Sequence, residues 1–399
     1  MNLHPSQPQR RSNVSPSPKF IPNDLIFGVF SLLPVKSVMR MRCLSKFSNS
    51  LITSPIFVKF HFQRFARNPH LALVTTKTKT VVPFPVRDLI DNRLITLTND
   101  PHYLTNDGSK DMVFHQIVGS CNGLICLLNY SIGYEDVFLR FWNPCTRTKS
   151  EKLGYLSLLN YPIHERRYFK FAFGYDNLTS TYKAVLLNFH TRTGTTKITT
   201  VKVFSLADNL WRNIENFPAI PLQLLNVGQR VQNGVYLSGT VNWLAVFDNP
   251  FYSVDKYVII SLDLGTETYT QMRLPQGFDD LPRVYPTIGV LKGFLTFSYD
   301  FKQSHFVIWK MEEFRVEESW CQFLKISYEN LQINYNIRQF YLVPLHLSED
   351  SDAMILASSL EGQAILYNKR NNKVERTRIT NSICWFSVKD YVESLASTC

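Results

Sequence analysis

The sequence lacks the long apolar runs and the paired metal ligands that mark membrane and metal proteins. No apolar stretch in its 399 residues approaches the about 20 residues of a membrane-spanning helix, and no C-x-x-C pair occurs. The seven Cys are odd in number and irregularly spaced, which favours buried, reduced thiols over a disulfide framework. We therefore expect no membrane partner and no metal, and residence in the cytoplasm, the nucleus or both.

Signatures of catalysis are missing as well. The chain contains no Gly-rich phosphate loop, no G-x-S-x-G and no H-E-x-x-H, and its nine His are scattered. The acidic pairs Asp279-Asp280 and Glu312-Glu313 are adjacent residues, whose side chains point to opposite faces of a strand. The sequence predicts a non-catalytic protein that needs no cofactor. The rival hypothesis is an enzyme whose active site lies in a central pocket of the fold. A copper oxidase, in which Cys, Tyr and His ligands converge on the metal, is one such enzyme.

The charge and composition indicate a folded protein of more than one domain. The formal net charge is +11, but the basic residues are spread along the chain without a dense block, so we expect no nucleic-acid partner. The 29 Phe, 19 Tyr and six Trp favour β structure, where aromatic side chains pack well. At 399 residues the chain exceeds one ordinary domain.

Residues 1–18 and 19–66 differ sharply in pattern. The first segment is rich in Pro and Ser and predicts a disordered tail. The second has a helical period and predicts three short helices. The first begins near Pro22, the second begins near Val35, and the third ends at Thr53-Ser54-Pro55. Three short helices bury little surface by themselves. Their apolar face therefore needs either a partner or the chain's own larger domain, and the helical pattern leaves both open.

Three motifs in this segment resemble the F-box of plant F-box proteins. They are Ile21-Pro22-Asn23-Asp24-Leu25-Ile26, Leu33-Pro34-Val35-Lys36-Ser37-Val38 and Arg42-Cys43-Leu44-Ser45-Lys46. In that family the F-box docks on a Skp adaptor, which links through a cullin to the ubiquitin-conjugating machinery. The resemblance implies an adaptor-binding set of twelve residues, namely Pro22, Asp24, Leu25, Ile26, Val29, Leu33, Pro34, Val35, Val38, Cys43, Leu44 and Lys46.

Three positions depart from the family pattern. Ser48 stands where a Trp is usual, Gly28 replaces a common Glu, and Leu32 replaces a basic residue. They allow an alternative function, a protein-binding module with a weakened F-box that does not cause ubiquitination. If a Trp at position 48 would contact the adaptor, Ser48→Trp should tighten adaptor binding, because a buried aromatic side chain contributes a large apolar area.

From about residue 70 the pattern changes to short strands separated by turn residues, without a long amphipathic helix. The segment between Trp309 and Trp320 fits a β-hairpin. A weak repeat recurs at steps of 62, 58, 47 and 58 residues. It consists of five pairs, Trp142-Asn143, Phe204-Ser205, Leu262-Asp263, Trp309-Lys310 and Tyr367-Asn368. Over residues 70–399 this spacing predicts a β-propeller of about six four-stranded blades. A pair of β-sandwiches is the alternative.

This second region resembles the F-box-associated, kelch-like domain that follows plant F-boxes. The resemblance is carried by motifs such as Gly119-Ser120-Cys121-Asn122-Gly123, Phe171-Ala172-Phe173-Gly174-Tyr175-Asp176 and Gly234-Val235-Tyr236-Leu237-Ser238-Gly239. The fold class expected for the whole chain is α+β multidomain, with a three-helix F-box before an all-β propeller. The resemblance implies the substrate-recognition subunit of an SCF-type ubiquitin ligase, whose β domain binds an unknown protein substrate. Long loops are the candidates for that contact, at 84–112, 154–167, 189–199, 216–230 and 247–256.

Overall fold

Four short helices form the first part of the computed structural model. The structure describes residues 21–65, 69–77, 80–91, 94–97, 115–131, 133, 135–159, 161, 169–192, 196–222, 234–247, 253–333 and 340–398. The helices of this helical unit (residues 21–65) are α1 Asn23–Phe30, α2 Val35–Met41, α3 Lys46–Thr53 and α4 Pro55–Phe65. The predicted tail, residues 1–18, lies outside the described residues.

Local sequence explains where these helices begin. Pro22 and Pro34 occupy the positions just before α1 and α2, and the Ser45 side chain accepts a hydrogen bond from the Ser48 amide at the start of α3. The sequence predicted three helices, and α4 is the correction. Pro55 was interpreted only as a stop, yet it is the first residue of α4. Proline suits that position because the first helical amide has no partner within the helix.

The rest of the described residues are mainly β structure, with one further α-helix, α5 Val86–Ile90, and three single-turn 3-10 helices. The strands are β1 Pro69–Val74, β2 Val81–Pro85, β3 His115–Cys121, β4 Leu124–Tyr130, β5 Asp136–Asn143, β6 Thr148–Lys149, β7 Leu153–Ser157, β8 Phe169–Asp176, β9 Thr181–Arg192, β10 Thr196–Ser205, β11 Leu210–Ile214, β12 Ile220–Pro221, β13 Val235–Leu237, β14 Thr240–Val246, β15 Tyr257–Asp263, β16 Tyr269–Met272, β17 Thr287–Leu291, β18 Phe294–Phe301, β19 His305–Met311, β20 Trp320–Ser327, β21 Leu342–Leu347, β22 Ala353–Ser358, β23 Ile365–Asn368, β24 Lys373–Arg376 and β25 Lys389–Val392. Among the described residues, no helix is both long enough and apolar enough to cross a membrane.

These strands form six antiparallel sheets arranged as the blades of a propeller. Five sheets use consecutive strands, β3–β7, β8–β11, β12–β16, β17–β20 and β21–β24. The innermost strands contact one another around a closed ring, in the order β25, β3, β8, β13, β17, β21 and back to β25. The predicted six-bladed propeller is thereby confirmed, and the β-sandwich alternative is wrong.

The sixth blade joins the two ends of the propeller region. Its sheet has the order β2-β1-β25, with Pro69 opposite Val392 and Ala72 opposite Lys389. Because β25 comes from the C-terminus, the ring closes only when both ends of this region are in place. We call the end of the propeller where Gly123 and Val392 lie the proximal end. The opposite end, where β4 joins β5, is the distal end.

The weak sequence repeat has a physical basis in the third strand of each blade. All five repeated pairs lie in third strands, at or next to the strand end. The Asn143 side-chain oxygen accepts hydrogen bonds from the amides two and three residues later, at 3.0 and 3.3 Å. Asp263 and Asn368 make the same turn. At three of the five pairs the repeat is therefore an Asx turn that reverses the chain after the third strand. The predicted hairpin is confirmed too, since Met311 pairs with Trp320.

Candidate partner-binding surfaces

The helical unit exposes several large apolar side chains. The five on α1, on the connections that flank α2 and at the start of α3 form what we call the exposed apolar set, namely Leu25 (60% exposed), Val29 (57%), Leu32 (66%), Leu44 (67%) and Phe47 (41%). Leu25 and Val29 are four residues apart on α1 and so share one helix face. Contiguous exposed apolar surface of this kind usually marks an interaction site. The helical unit therefore has a surface suited to a protein partner.

Most of the predicted adaptor-binding residues are accessible. Exposed members of that set are Pro22, Asp24, Leu25, Val29, Pro34, Cys43, Leu44 and Lys46. Ile26 and Leu33 are half-buried. The structure does not place Val35 and Val38 on this surface. Both are fully buried, since they lie three residues apart on the inner face of α2. Val35 and Val38 support the exposed face from inside. The predicted set omitted Leu32 and Phe47, which are both apolar and exposed.

The departures from the family pattern have different structural settings. Ser48 is only 6% exposed, and its Oγ lies 3.0 Å from the Ser45 Oγ at the start of α3. A Trp at this position would have to enter the interior of the helical unit. The tighter adaptor binding that we expected from Ser48→Trp therefore does not follow. At Gly28, by contrast, an added Cβ would meet no atom within 4 Å. Gly28 is not required for a close approach.

Buried His61 ties α4 to the connection between α1 and α2. Its Nε2 lies 2.8 Å from the Leu33 carbonyl oxygen, and because a carbonyl can only accept, Nε2 carries the proton. Burial lowers the pKa of His61, against the smaller opposing effect of this hydrogen bond. The ring of Phe27 packs against Phe57 and Phe60 of α4, with centroids 5.2 and 5.4 Å apart. Helix α4 is therefore an integral part of the helical unit.

The C-terminal segment fastens the helical unit to the propeller. Leu395 packs against the core of the helical unit, which contains Val38, Ile52 and Phe57. One residue earlier, the Ser394 carbonyl accepts a hydrogen bond from the Asn143 side chain. We call residues 393–398 the C-terminal strap. It contacts the first blade and the helices at once, and thus fixes one relative to the other.

Gly123 shows how closely the strap approaches the first blade. A Cβ built at Gly123 would lie 2.1 Å from the Ser394 Oγ, and the backbone there has a φ of +80°. Both conditions require glycine. This glycine belongs to the motif that carried the resemblance of the second region. Its role is structural, since it allows the strap to pass.

A central cavity of about 280 Å³ runs between the innermost strands of all six blades, and Phe62 of α4 lines it at the proximal end. Burial raises the pKa of Cys121 in its wall, so the thiol stays protonated at neutral pH. Asp390 and Lys389 also line the cavity, where the surrounding blades reduce solvation and so raise the pKa of Asp390 and lower that of Lys389. Within the described residues, no three His, Cys, Asp or Glu side chains lie close enough to hold a metal ion. The described residues thus provide no set of metal ligands that would support the copper-oxidase hypothesis.

The described cysteines are free, but only two of the six are buried. Cys121 and Cys126 lie inside the propeller, Cys145, Cys321 and Cys384 are half-buried, and Cys43 is exposed. The expectation of buried thiols is therefore wrong for Cys43. It follows the α2 helix directly, in a connection that the small helical unit leaves open to solvent.

All five candidate recognition loops start or end at the distal end of the propeller. The stretch 84–112 leads from β2 towards β3, and 154–167 leads from β7 to β8. The stretch 216–230 follows β11, while 189–199 and 247–256 span the turns between the second and third strands of two blades. Part of each stretch lies outside the described residues. Strand direction places the start of β3 and the described residues that flank the other four stretches at the distal end, whereas Pro85, at the end of β2, lies at the proximal end.

This architecture defines a class of protein in which a small helical module with exposed apolar side chains is joined to a six-bladed propeller. Comparison with known families gives the same result in sequence. Residues 20–60 match the F-box domain, and residues 74–398 match the F-box associated beta propeller domain. The second match covers most of the chain. The chain therefore belongs to the family of F-box proteins with an F-box associated β-propeller domain.

Two curated relatives align with this chain over most of their own length. The F-box protein CPR1 of Arabidopsis thaliana is 27% identical over 393 residues, which cover 95% of this chain and 89% of that protein. An F-box/kelch-repeat protein of the same plant is 26% identical over 396 residues, 96% of both chains. Among solved structures, the β-propeller domain of the Trilobed protease from Pyrococcus furiosus is 8% identical, with a TM-score of 0.35, over 67% of this chain and 70% of that one.

Proposed function

We propose that this chain is the substrate-recognition subunit of an SCF-type ubiquitin ligase. The exposed apolar set docks a Skp adaptor, and through it a cullin, while the distal end of the propeller binds the protein to be ubiquitinated. The single observation that supports this most strongly is the exposed apolar set on a module whose family implies adaptor binding. The chain itself acts without a cofactor as a non-catalytic adaptor, in the cytoplasm, the nucleus or both.

The placement of the two surfaces supports this division of labour. The helical unit lies at the proximal end and is fastened there by α4 and by the C-terminal strap. Most of the described residues that flank the candidate recognition loops lie at the distal end. A substrate held there meets the conjugating enzyme on the same scaffold at an effective concentration of up to about millimolar. Rigid attachment keeps the two bound partners at a fixed separation.

Adaptor binding is tested by charging the exposed apolar set. We expect Leu25→Asp with Val29→Asp to abolish co-purification of a Skp adaptor, because an unpaired carboxylate is costly to bury in an interface. Both side chains are more than half exposed, so folding should be preserved, as checked by circular dichroism. Leu178→Asp on the propeller, at 74% exposure, is the matched control and should bind normally. Undiminished binding by the double variant contradicts the proposal.

The alternative function, a protein-binding module with a weakened F-box, predicts a different result in the same co-purification experiment. In that case the unmodified chain would capture its substrate but would not co-purify with a Skp adaptor. Gly28 in α1 is the observation that favours it, because a glycine in a helix interior costs about 0.5–1 kcal/mol relative to Ala. Substrates captured from cells with the proteasome inhibited, and their ubiquitination in a reconstituted reaction, separate the two functions.

A further inference from the structure

The helical unit carries a surplus of positive charge that its fold does not use. Residues 21–65 contain six basic residues and a single acidic one, Asp24. The basic residues are Lys36, Arg40, Arg42, Lys46, Lys59 and Arg64. The 45 residues of the helical unit therefore contribute +5 to the formal net charge of +11 of the 399-residue chain. The excess is concentrated in the part of the protein that also exposes the apolar set.

These cations are not neutralised within the described chain. No described carboxylate forms an ion pair with any of the six. The Arg42 Nε donates to the Asn49 side-chain oxygen at 3.0 Å, and the Arg64 guanidinium lies 4.7 Å from the centre of the Phe60 ring. Such contacts orient the side chains but leave their charge in place. A stable fold gains nothing from like charges that repel one another.

Three of the cations lie beside the exposed apolar set. Arg42 precedes Leu44 by two residues, and Lys46 immediately precedes Phe47. Arg40 and Lys46 are exposed, and Arg42 is half-buried. The stretch from the end of α2 to the start of α3, residues 40–47, thus combines two exposed apolar side chains with three positive charges. Apolar residues bordered by charged ones are the usual composition of a protein interface, in which the charges form the rim.

We propose that the adaptor surface which receives the helical unit carries acidic side chains opposite Arg40, Arg42 and Lys46, and that these charges steer the association. This inference rests on the proposed adaptor-binding function and specifies the chemistry of the partner. Complementary charges at an interface rim accelerate association and make it sensitive to salt, while apolar contacts determine how long the complex lasts. A polyanion such as DNA is disfavoured, because the apolar set would have no role in its binding.

The test measures association of the full chain with a purified Skp adaptor between about 50 mM and about 500 mM NaCl. We expect Arg40→Glu with Lys46→Glu to lower the association rate constant at least about tenfold at low salt. The difference should shrink to under about twofold at high salt, where screening is strong. Arg370→Glu with Lys373→Glu, in the exposed turn between β23 and β24, makes the same charge change on the propeller and should leave the rate unchanged.

Three other outcomes overturn the inference, and they differ in what they say about the proposed function. If neither salt nor the charge reversal changes the association rate constant, the inference of an acidic adaptor surface is wrong, but the proposed adaptor binding is retained. If a short DNA duplex displaces the adaptor, the cations bind polyanions in general. If the unmodified chain binds no Skp adaptor at any salt concentration, the proposed function falls together with this inference.

Discussion

The side chain of Asn143 holds the backbone of Ser394, 251 residues further along the chain. Its Nδ2 donates to the Ser394 carbonyl at 3.0 Å and to the Ala396 carbonyl at 2.9 Å. Its Oδ1 accepts the amides that form the turn after β5. One buried amide therefore organises both a blade turn and the C-terminal strap. Leu395, between the two carbonyls, reaches the core of the helical unit.

Replacing Asn143 by Asp should separate these two roles. Aspartate keeps an oxygen for the turn but loses the two donors, and it places a carboxylate against two carbonyl oxygens. We expect Asn143→Asp to lower the free energy of unfolding by roughly 2–4 kcal/mol, measured by urea denaturation. Asn368→Asp is the control, because the hydrogen bonds of Asn368 are those of the turn alone. It should change stability by less than about 0.5 kcal/mol. Equal effects would show that Asn143 does not hold the strap.

Lys183 joins two blades through a buried ion pair. Its Nζ lies 3.1 Å from Asp176 in its own sheet and 2.9 Å from Glu267 in the next, and it donates to the Leu264 carbonyl. Asp176 is completely buried. Burial alone would raise the pKa of Asp176, but hydrogen bonds from Thr179, Lys183 and two backbone amides outweigh it and hold the pKa below its usual value.

We expect Lys183→Met to destabilise the propeller by about 3–5 kcal/mol, because it leaves the Asp176 carboxylate buried without its counter-ion. The matched change Lys373→Met removes an exposed pair with Glu375. It should cost at most about 1 kcal/mol. Thermal or urea unfolding of both variants gives the comparison. A small effect of Lys183→Met would mean that Asp176 becomes protonated or hydrated at little cost.

Gly28 offers a way to strengthen the helical unit. We expect Gly28→Ala to raise its stability by about 0.5–1 kcal/mol, since the position is helical and open space surrounds the added methyl group. The contrasting change is Gly123→Ala, which should destabilise the protein because the new Cβ would collide with Ser394. Differential scanning calorimetry of both variants measures the two signs. No gain for Gly28→Ala would indicate that unfolding does not begin with, or include, this helix.

His346 makes the propeller sensitive to mild acid. Burial, and to a smaller extent the positive charge of Lys292, lower its pKa to about 4. The unfolded chain, with a pKa of about 6.5, binds the proton more readily. Stability is therefore fully present above about pH 6.5 and declines as the pH falls towards about 4. We expect the difference in stability between pH 7 and pH 4 to be smaller in His346→Gln, by roughly 1–3 kcal/mol. Parallel pH profiles for the two proteins would contradict this.

Local sequence was sufficient for the division of the chain and for much of its secondary structure. The helix start near Pro22 and the helix end at Pro34 follow from the chemistry of proline, and the change from helical to alternating periodicity is visible without a structure. The blade count followed from the spacing of the five repeated pairs, because each of them ends at or next to the end of a third strand, where the chain must turn. The fourth helix was missed, since proline ends one helix and begins the next with the same local signal.

What only the tertiary structure decided is which side chains face outward and which distant residues meet. Val35 and Leu44 look alike in sequence, yet one is fully buried and the other is 67% exposed. Burial depends on how four helices pack together, which no single helical pattern contains. The contacts of Leu395 with the helical unit and of Asn143 with Ser394 join residues more than 200 positions apart. Periodicity reports neighbours along one element, whereas these contacts exist only because the propeller ring closes.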